Sequence, residues 1–304
     1  MSKFDILAIG HLNNDYIVNV EDFAGLNSSQ TVEDLKTYDG GTAANVALVG
    51  SQLGINTGFV APIGPEFIGT QYFEKLKKND NCLAILKPMT GETTSTCFVF
   101  TDKDGNQKSY IHQGAAKHFN DIEVPSEHID EAEIVHITTA PPKFAIKCAK
   151  YAWENMKTVS FDPGQQLRLY TFDQLTDILQ YVHIMFCNEF EFDYVHELCD
   201  PFDYTVEILV KTMGEQGSEI YYDNGYECWN ISPYKAYAID PTGAGDSYRA
   251  AFLFAYLHKA ELPECGTFAS AVASFIVEKE GCQTNMPTIK DVQKKTGELP
   301  WLNQ

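Results

Sequence analysis

The chain has 304 residues, 44% of them hydrophobic and 12% aromatic, enough for a large core in one or two domains. Its 42 acidic residues against 22 basic leave a net charge of −20, which argues against nonspecific nucleic-acid binding and reads as a solvated surface. No run reaches the ~18 consecutive apolar residues of a membrane-spanning helix. The eight cysteines show neither C-x-x-C spacing nor clustered histidines, which disfavours zinc sites and a disulfide framework.

The first residues, "MSKFDILAIGHLNND", turn polar too early for a secretory signal, so the expected location is the cytoplasm. "FDILAIG" (4–10) reads as a strand, "GTAANVALVGSQLG" (41–54) as a helix ending at Gly54, and "TGFVAPIG" (57–64) as a strand. A helical pattern over 67–79 follows. "AEIVHITTA", "TVSFDPG" and "HIMFCNE" read as strands, separated by helices in "FAIKCAKYAWENM" and "DQLTDILQYV". "VEILVKTMG" and "SEIYYDNG" are again strands, before a helix starting near Gly243 and a final helix within 267–280. Such alternation implies an α/β fold: a central, mostly parallel sheet flanked by helices, with ligands beyond the carboxyl ends of its strands.

Two stretches break the alternation. Residues 16–38 hold "YIVNV" and "QTVEDLKTYD" around a Gly/Asn/Ser turn, and 93–113 read as a hairpin about Asp104-Gly105. Together they suggest a small β lid inserted into a single domain of residues 1–304, formed from about 12–38 and 93–113.

"DPTGAGDSYRAAF" (240–252) places Asp246 directly after Gly243, Ala244 and Gly245, where a helix begins. A helix start leaves backbone N–H groups unpaired and attracts anions, and small residues let an anion come close. The stretch is neither a Walker A loop, lacking G-K-[ST], nor G-x-G-x-x-G, because position 248 is Tyr. One reading is an Asp-Pro turn leading into a capped helix. The other is an anion hole at 243–245 with Asp246 as a general base for phosphoryl transfer to an alcohol.

"DPTGAGDSYRAAFL" resembles the C-terminal signature of the ribokinase-like (PfkB-type) carbohydrate and nucleoside kinases. "GHLNNDYI" (10–17), "DGGTAANVA" (39–47), "CNEFE" (187–191) and "VKTMGEQGS" (210–218) resemble further motifs of that family, in its order, over most of the chain. The resemblance implies Asp246 as catalytic base and Gly243, Ala244 and Gly245 as the anion hole. It implies substrate contacts from Asn13 and Asp15, which alternate along an extended segment, from Gly40, Gly41 and Asn45, and from Gln165. Nucleotide contacts fall on Gln113, Lys117, Asn188, Thr212, Gly214 and Gly217. Asn188 and Glu191 would organise Mg²⁺, through water, and Asp240 and Thr242 stand where some relatives hold potassium. Plain turns and a capped, acidic first turn at "NEFEFD" are the alternatives at these positions.

"HQGAAKHF" (112–119), "VSFDPGQ" (159–165) and "EGCQTNMPT" (280–288) are similar to the archaeal nucleoside kinase branch. The expectation is therefore an ATP- and Mg²⁺-dependent kinase acting on the 5′-hydroxyl of a nucleoside, without nucleic-acid or membrane partners, and dimeric through its lid strands. A sugar or sugar-phosphate kinase of the same family and a noncatalytic nucleoside-binding sensor are the competing readings. Three positions depart from the family pattern: Pro65 where Asp is common, Ala251 where Gly often stands, and Cys282 where Ala often follows the late glycine.

Overall fold

The computed structural model describes residues 2–104 and 106–303. The chain opens with β1 (Phe4–Ile9), crosses to β2 (Asn13–Val20) and β3 (Val32–Gly40), and returns through α1 (Thr42–Leu53) to β4 (Thr57–Ile63). Then come α2 (Gln71–Lys77), β5 (Cys82–Pro88), β6 (Ser95–Thr101) and β7 (Gln107–His112). The middle alternates: α3 (Ser126–Asp130), β8 (Ala132–Thr138), α4 (Pro142–Glu154), β9 (Thr158–Asp162), α5 (Phe172–Leu179), β10 (Ile184–Asn188), α6 (Glu189–Leu198) and β11 (Ile208–Thr212). The hairpin of β12 (Ser218–Tyr222) and β13 (Glu227–Ile231) precedes α7 (Ala244–Leu257), α8 (Leu262–Ile276) and α9 (Ile289–Thr296).

One sheet runs β13-β12-β11-β10-β9-β8-β1-β4-β5. Its strands pair in parallel from β11 through to β5, and β12 and β13 add an antiparallel edge. In β1, Ile6 and Ala8 pack on one face with α1, α7 and α8, while Leu7 and Ile9 pack on the other with α4 and α5. All four are fully buried. A strand covered on both faces needs the unbroken apolar run seen in "ILAI" rather than alternation.

The second sheet has the order β3-β2-β6-β7. β2 and β6 pair in parallel at its centre, and each carries an antiparallel neighbour at the edge. This is the small β lid, and Gly105, named for its second turn, lies outside the described residues.

Some expectations need correction. The helical pattern at 67–79 condenses to a 3₁₀ turn at Pro65–Phe67 and α2, because Gly69 takes a left-handed φ of 90° and Thr70 caps a new start through Phe73 N–H. The last predicted helix begins earlier, at Leu262, where Glu261 and Glu264 form a capping box, and α9 follows it unpredicted. β5 and β13 were also not anticipated. Both are edge strands with mixed exposure, so their composition carries little of the apolar signal.

Candidate active site

The carboxyl ends of β1, β8, β9 and β10 converge on the start of α7. That helix begins because Gly243 adopts a left-handed φ of 78°, and a Cβ there would overlap Cys282 Cβ. Among the described residues no side chain caps this start. Ala244 N–H is turned back onto the Pro241 carbonyl at 3.1 Å. Of the three amides expected to form an anion hole at 243–245, that of Ala244 is thus already engaged.

α7 packs on α1, which brings Asn45 to Asp246: its Nδ2 donates to Asp246 Oδ2 at 2.8 Å. Burial raises the Asp246 pKa to about 6, against the downward pull of Arg249 and Asn45. Arg249, one turn along, has Nη1 3.8 Å from Asp246 Oδ1. The same guanidinium is paired with Asp162 at the end of β9, with Nε 2.7 Å from Oδ2 and Nη2 donating to Oδ1 at 3.0 Å. Thr138 Oγ1 and Gly164 N–H also donate to that carboxylate, which locks β8, β9 and α7 together.

Opposite lies the stalk of the lid. Asp15 is buried, and its pKa is raised to about 7 by burial and then by the charges of Asp246, Asp240 and Asp39. Gly40 is required beside it, since a Cβ there would overlap Asp15 Oδ2. Gly41 has another cause: with φ of 106° it lies against the backbone of His11, Leu12 and Asn13. The close approach at both glycines is made by the chain itself, where the sequence had suggested a sugar. Two buried oxygens here, Asn13 Oδ1 and Asp15 Oδ1, have no protein partner. Buried acceptors left unpaired cost free energy, and a water or a ligand donor can meet these two.

The remaining predicted residues are distributed unevenly. Asn45 was expected to touch the substrate; its oxygen instead accepts from Gln283 Nε2 at 2.9 Å and from Cys282 Sγ at 3.0 Å. Asn188 and Glu191 form a complete capping box at the start of α6. Burial, then Asp162, raises the Glu191 pKa, and Arg249 lowers it. Asp240 Oδ1 accepts from Thr242 N–H and Oγ1, and its Oδ2 accepts from Gly281 N–H, so the carboxylate closes the loop around the α7 start. Thr212 ends β11, and Gly214 and Gly217 make the positive-φ turn into β12. Gln165 and Gln113 are exposed, and Lys117 is paired with Glu92 at 2.7 Å rather than left open for phosphate.

Arg249, Asp162, Gln283 and Thr139 were missed by sequence reasoning. Arg249 and Asp162 stood inside quoted motifs, but their pairing spans 87 positions. Thr139 holds a left-handed φ of 48°, rare for a β-branched residue, with Oγ1 2.6 Å from Thr42 Oγ1 and its N–H on the Asp162 carbonyl. No local sequence signal announces that strain.

The chain matches the family described as pfkB family carbohydrate kinase over residues 3–289. A nucleoside kinase of Methanothermobacter thermautotrophicus is 42% identical over 299 residues, covering 96% of this chain and 95% of its own length. A nucleoside kinase of Methanocaldococcus jannaschii is 41% identical over 288 residues, with 93% of each covered. The crystal structure of Methanocaldococcus jannaschii nucleoside kinase, an archaeal member of the ribokinase family, aligns with a TM-score of 0.90 at 39% identity, covering 97% of this chain and 99% of that one.

Proposed function

The chain belongs to the pfkB family of carbohydrate kinases, and from that premise we propose that it transfers the γ-phosphoryl group of ATP to the 5′-hydroxyl of a nucleoside. The observation that carries this reading is the pairing of a proton acceptor with a hydroxyl-seeking surface. Asp246, with a pKa of about 6, is mostly ionised at neutral pH yet basic enough to take a proton as the hydroxyl attacks. Across from it, Asn13 Oδ1 and Asp15 Oδ1 ask for donors, which the hydroxyls of a ribose supply.

The residues then divide the work. Asp15 and Asn13 hold the sugar, Asp246 takes the 5′ proton, and the Gly245 amide at the uncapped start of α7 meets charge developing on the phosphoryl group. Gly243 supplies the turn that aims this helix, and Ala244 keeps the approach unobstructed. Gly40 makes room for the Asp15 carboxylate, and Gly41 seats β2 against the start of α1. Thr212, Gly214 and Gly217 form the loop assigned to the nucleotide, Gln113 is an outer contact to it, Lys117 could join only by leaving Glu92, and Gln165 stays assigned to the nucleoside.

Kinases of this family use ATP, usually as its magnesium complex. Among the described residues no group of three or more His, Cys, Asp or Glu could hold a metal by itself. The ion would thus arrive with ATP and be met through water by Glu191 and Asn188, where it neutralises charge on the transferring group. Potassium beside Asp240 and Thr242 belongs to the same reading, and its test is the dependence of kcat on potassium at constant ionic strength. Among the described residues no helix is long and apolar enough to cross a membrane. A cytoplasmic location, with its supply of ATP, goes with this reading.

The lid disfavours a phosphorylated sugar as acceptor. Its lysines are committed elsewhere: Lys36 to Asp34 and Glu280, Lys103 to Asp22, and Lys108 over the Phe23 ring. Its outer surface exposes Val32, Leu35, Tyr110 and Ile111 on the two edge strands, which suits pairing of two lids in a homodimer. Sedimentation at micromolar concentration would return the monomer mass if that is wrong.

ADP release with ATP and Mg²⁺ across inosine, guanosine, cytidine, adenosine, ribose and fructose 6-phosphate tests the assignment. Turnover confined to nucleosides is the expected result. Turnover on ribose or the sugar phosphate alone would overturn the substrate and keep the chemistry.

A further inference from the structure

An asparagine amide has two ends of nearly equal size and opposite polarity: the NH₂ donates to a carboxylate, the oxygen repels it. Asn45 presents its NH₂ to Asp246, at 2.8 Å. Rotating the amide by half a turn would put an oxygen there instead. The groups at the far end of the amide decide between the two.

Lys75 Nζ, which can only donate, lies 3.0 Å from Gln283 Oε1 and 3.0 Å from Asp39 Oδ2 at the end of the lid strand β3. Tyr72 OH gives its proton to the Gly40 carbonyl at 3.1 Å, so it accepts from Gln283 Nε2 at 2.7 Å. Lys75 and Tyr72 therefore leave Gln283 one orientation, with its NH₂ toward Asn45 Oδ1 at 2.9 Å. The Cys282 thiol, kept protonated by burial, stands 3.0 Å from the same oxygen. Asn45 must then turn its own NH₂ to Asp246. Each link has its polarity set by the next, and the series ends on a lysine whose charge state is unambiguous.

We propose that Lys75 and Gln283 are positioning residues that select which end of the Asn45 amide faces Asp246, and so hold an N–H donor on the catalytic base. The inference rests on Asp246 being the base. The other groups facing Asp246 are Arg249 on its own helix, Asp162 on β9, Asp15 on β2 and Cys282 beside Gly243. None of these is itself substituted in the variants at 75 and 283, and Lys75 also pairs with Asp39, whose charge acts on Asp15.

Gln283→Glu keeps the Lys75 contact but offers Asn45 only acceptors, which turns its oxygen toward Asp246. Lys75→Met, at a half-exposed side chain, removes the donor to Gln283 Oε1 with little risk to the fold, and Tyr72, whose hydroxyl can turn to donate, then allows either orientation of the Gln283 amide. In both variants the acidic limb of the kcat/KM profile is expected to move up by about one pH unit, with kcat at pH 6.5 down about threefold. Nucleoside affinity by calorimetry should stay within about twofold, and Lys75→Arg, which restores a cationic donor, should recover most of the loss. Should Gln283→Glu fail to fold, Lys75→Met decides alone. An unmoved limb in the variants, or a change in KM only, beside an inactive Asp246→Asn, overturns the positioning role and leaves the base standing. Wild-type kcat in Asp246→Asn overturns the base, and this inference with it.

Discussion

The two carboxylates that face each other across the site are built in opposite ways. Asp246 is held from several sides within the protein: Asn45 donates to it, Arg249 stands one turn away, and Arg249 is itself anchored by Asp162. Asp15 is buried, more deeply than Asp246, but keeps an oxygen with no protein partner, next to the unpartnered oxygen of Asn13. A catalytic group gains from being set before substrate arrives, since no reorganisation is then needed at the moment of reaction. A recognition group gains from being completed by substrate, because an unmet acceptor rejects a ligand that cannot donate. On the proposed function, the difference separates the part of the site that does chemistry from the part that chooses.

If that contrast holds, substitutions on the two sides should split between kcat and KM. The largest effect belongs to Asp246→Asn, for which kcat should fall by about 10²–10⁴ while nucleoside affinity stays within a few-fold. Steady-state kinetics beside calorimetry would expose an error if affinity fell and kcat did not. Arg249→Met strips the buried Asp162 of its counter-ion, and thermal unfolding should show a loss of about 3–5 kcal/mol. A variant as stable as the parent would mean that the pair does not hold β9 to α7.

Asp15→Asn should act on the other parameter, raising KM for the nucleoside by about 10–100-fold with a smaller change in kcat. The pH profile sharpens the contrast further. Asp246 must be ionised to take a proton and Asp15 to accept from hydroxyls, so kcat/KM should climb through about pH 6 and about pH 7 and level off above. Asp15→Asn should remove only the upper step. The smallest effect is expected for Cys282→Ala, which deletes one donor to Asn45 while Gln283 keeps another, and should cost less than about 1 kcal/mol.

Much of this was legible in the sequence. Periodicity marked the buried strands and the helices around them, because the side-chain repeat of an element depends only on neighbours a few residues away. The small residues before Asp246 announced a helix start open to an anion for the same local reason. The edge strands β5 and β13 escaped, since half-exposed residues carry a weak pattern.

The partners of the site residues could not be read in advance. Asn45 meets Asp246 across 201 positions and Gln283 across 238, and those meetings exist only once α1, α7 and the segment after α8 have packed. The sequence by itself marked the stretches to which the proposed base, the proposed anion hole and the lid belong. Only the tertiary structure decided that Asn45 donates to Asp246, that Ala244 N–H is taken by Pro241, and that two oxygens at the lid stalk have no protein partner. The physical reason is that hydrogen-bond satisfaction is a property of the packed whole: each buried polar group is paired, or left waiting, by residues far along the chain.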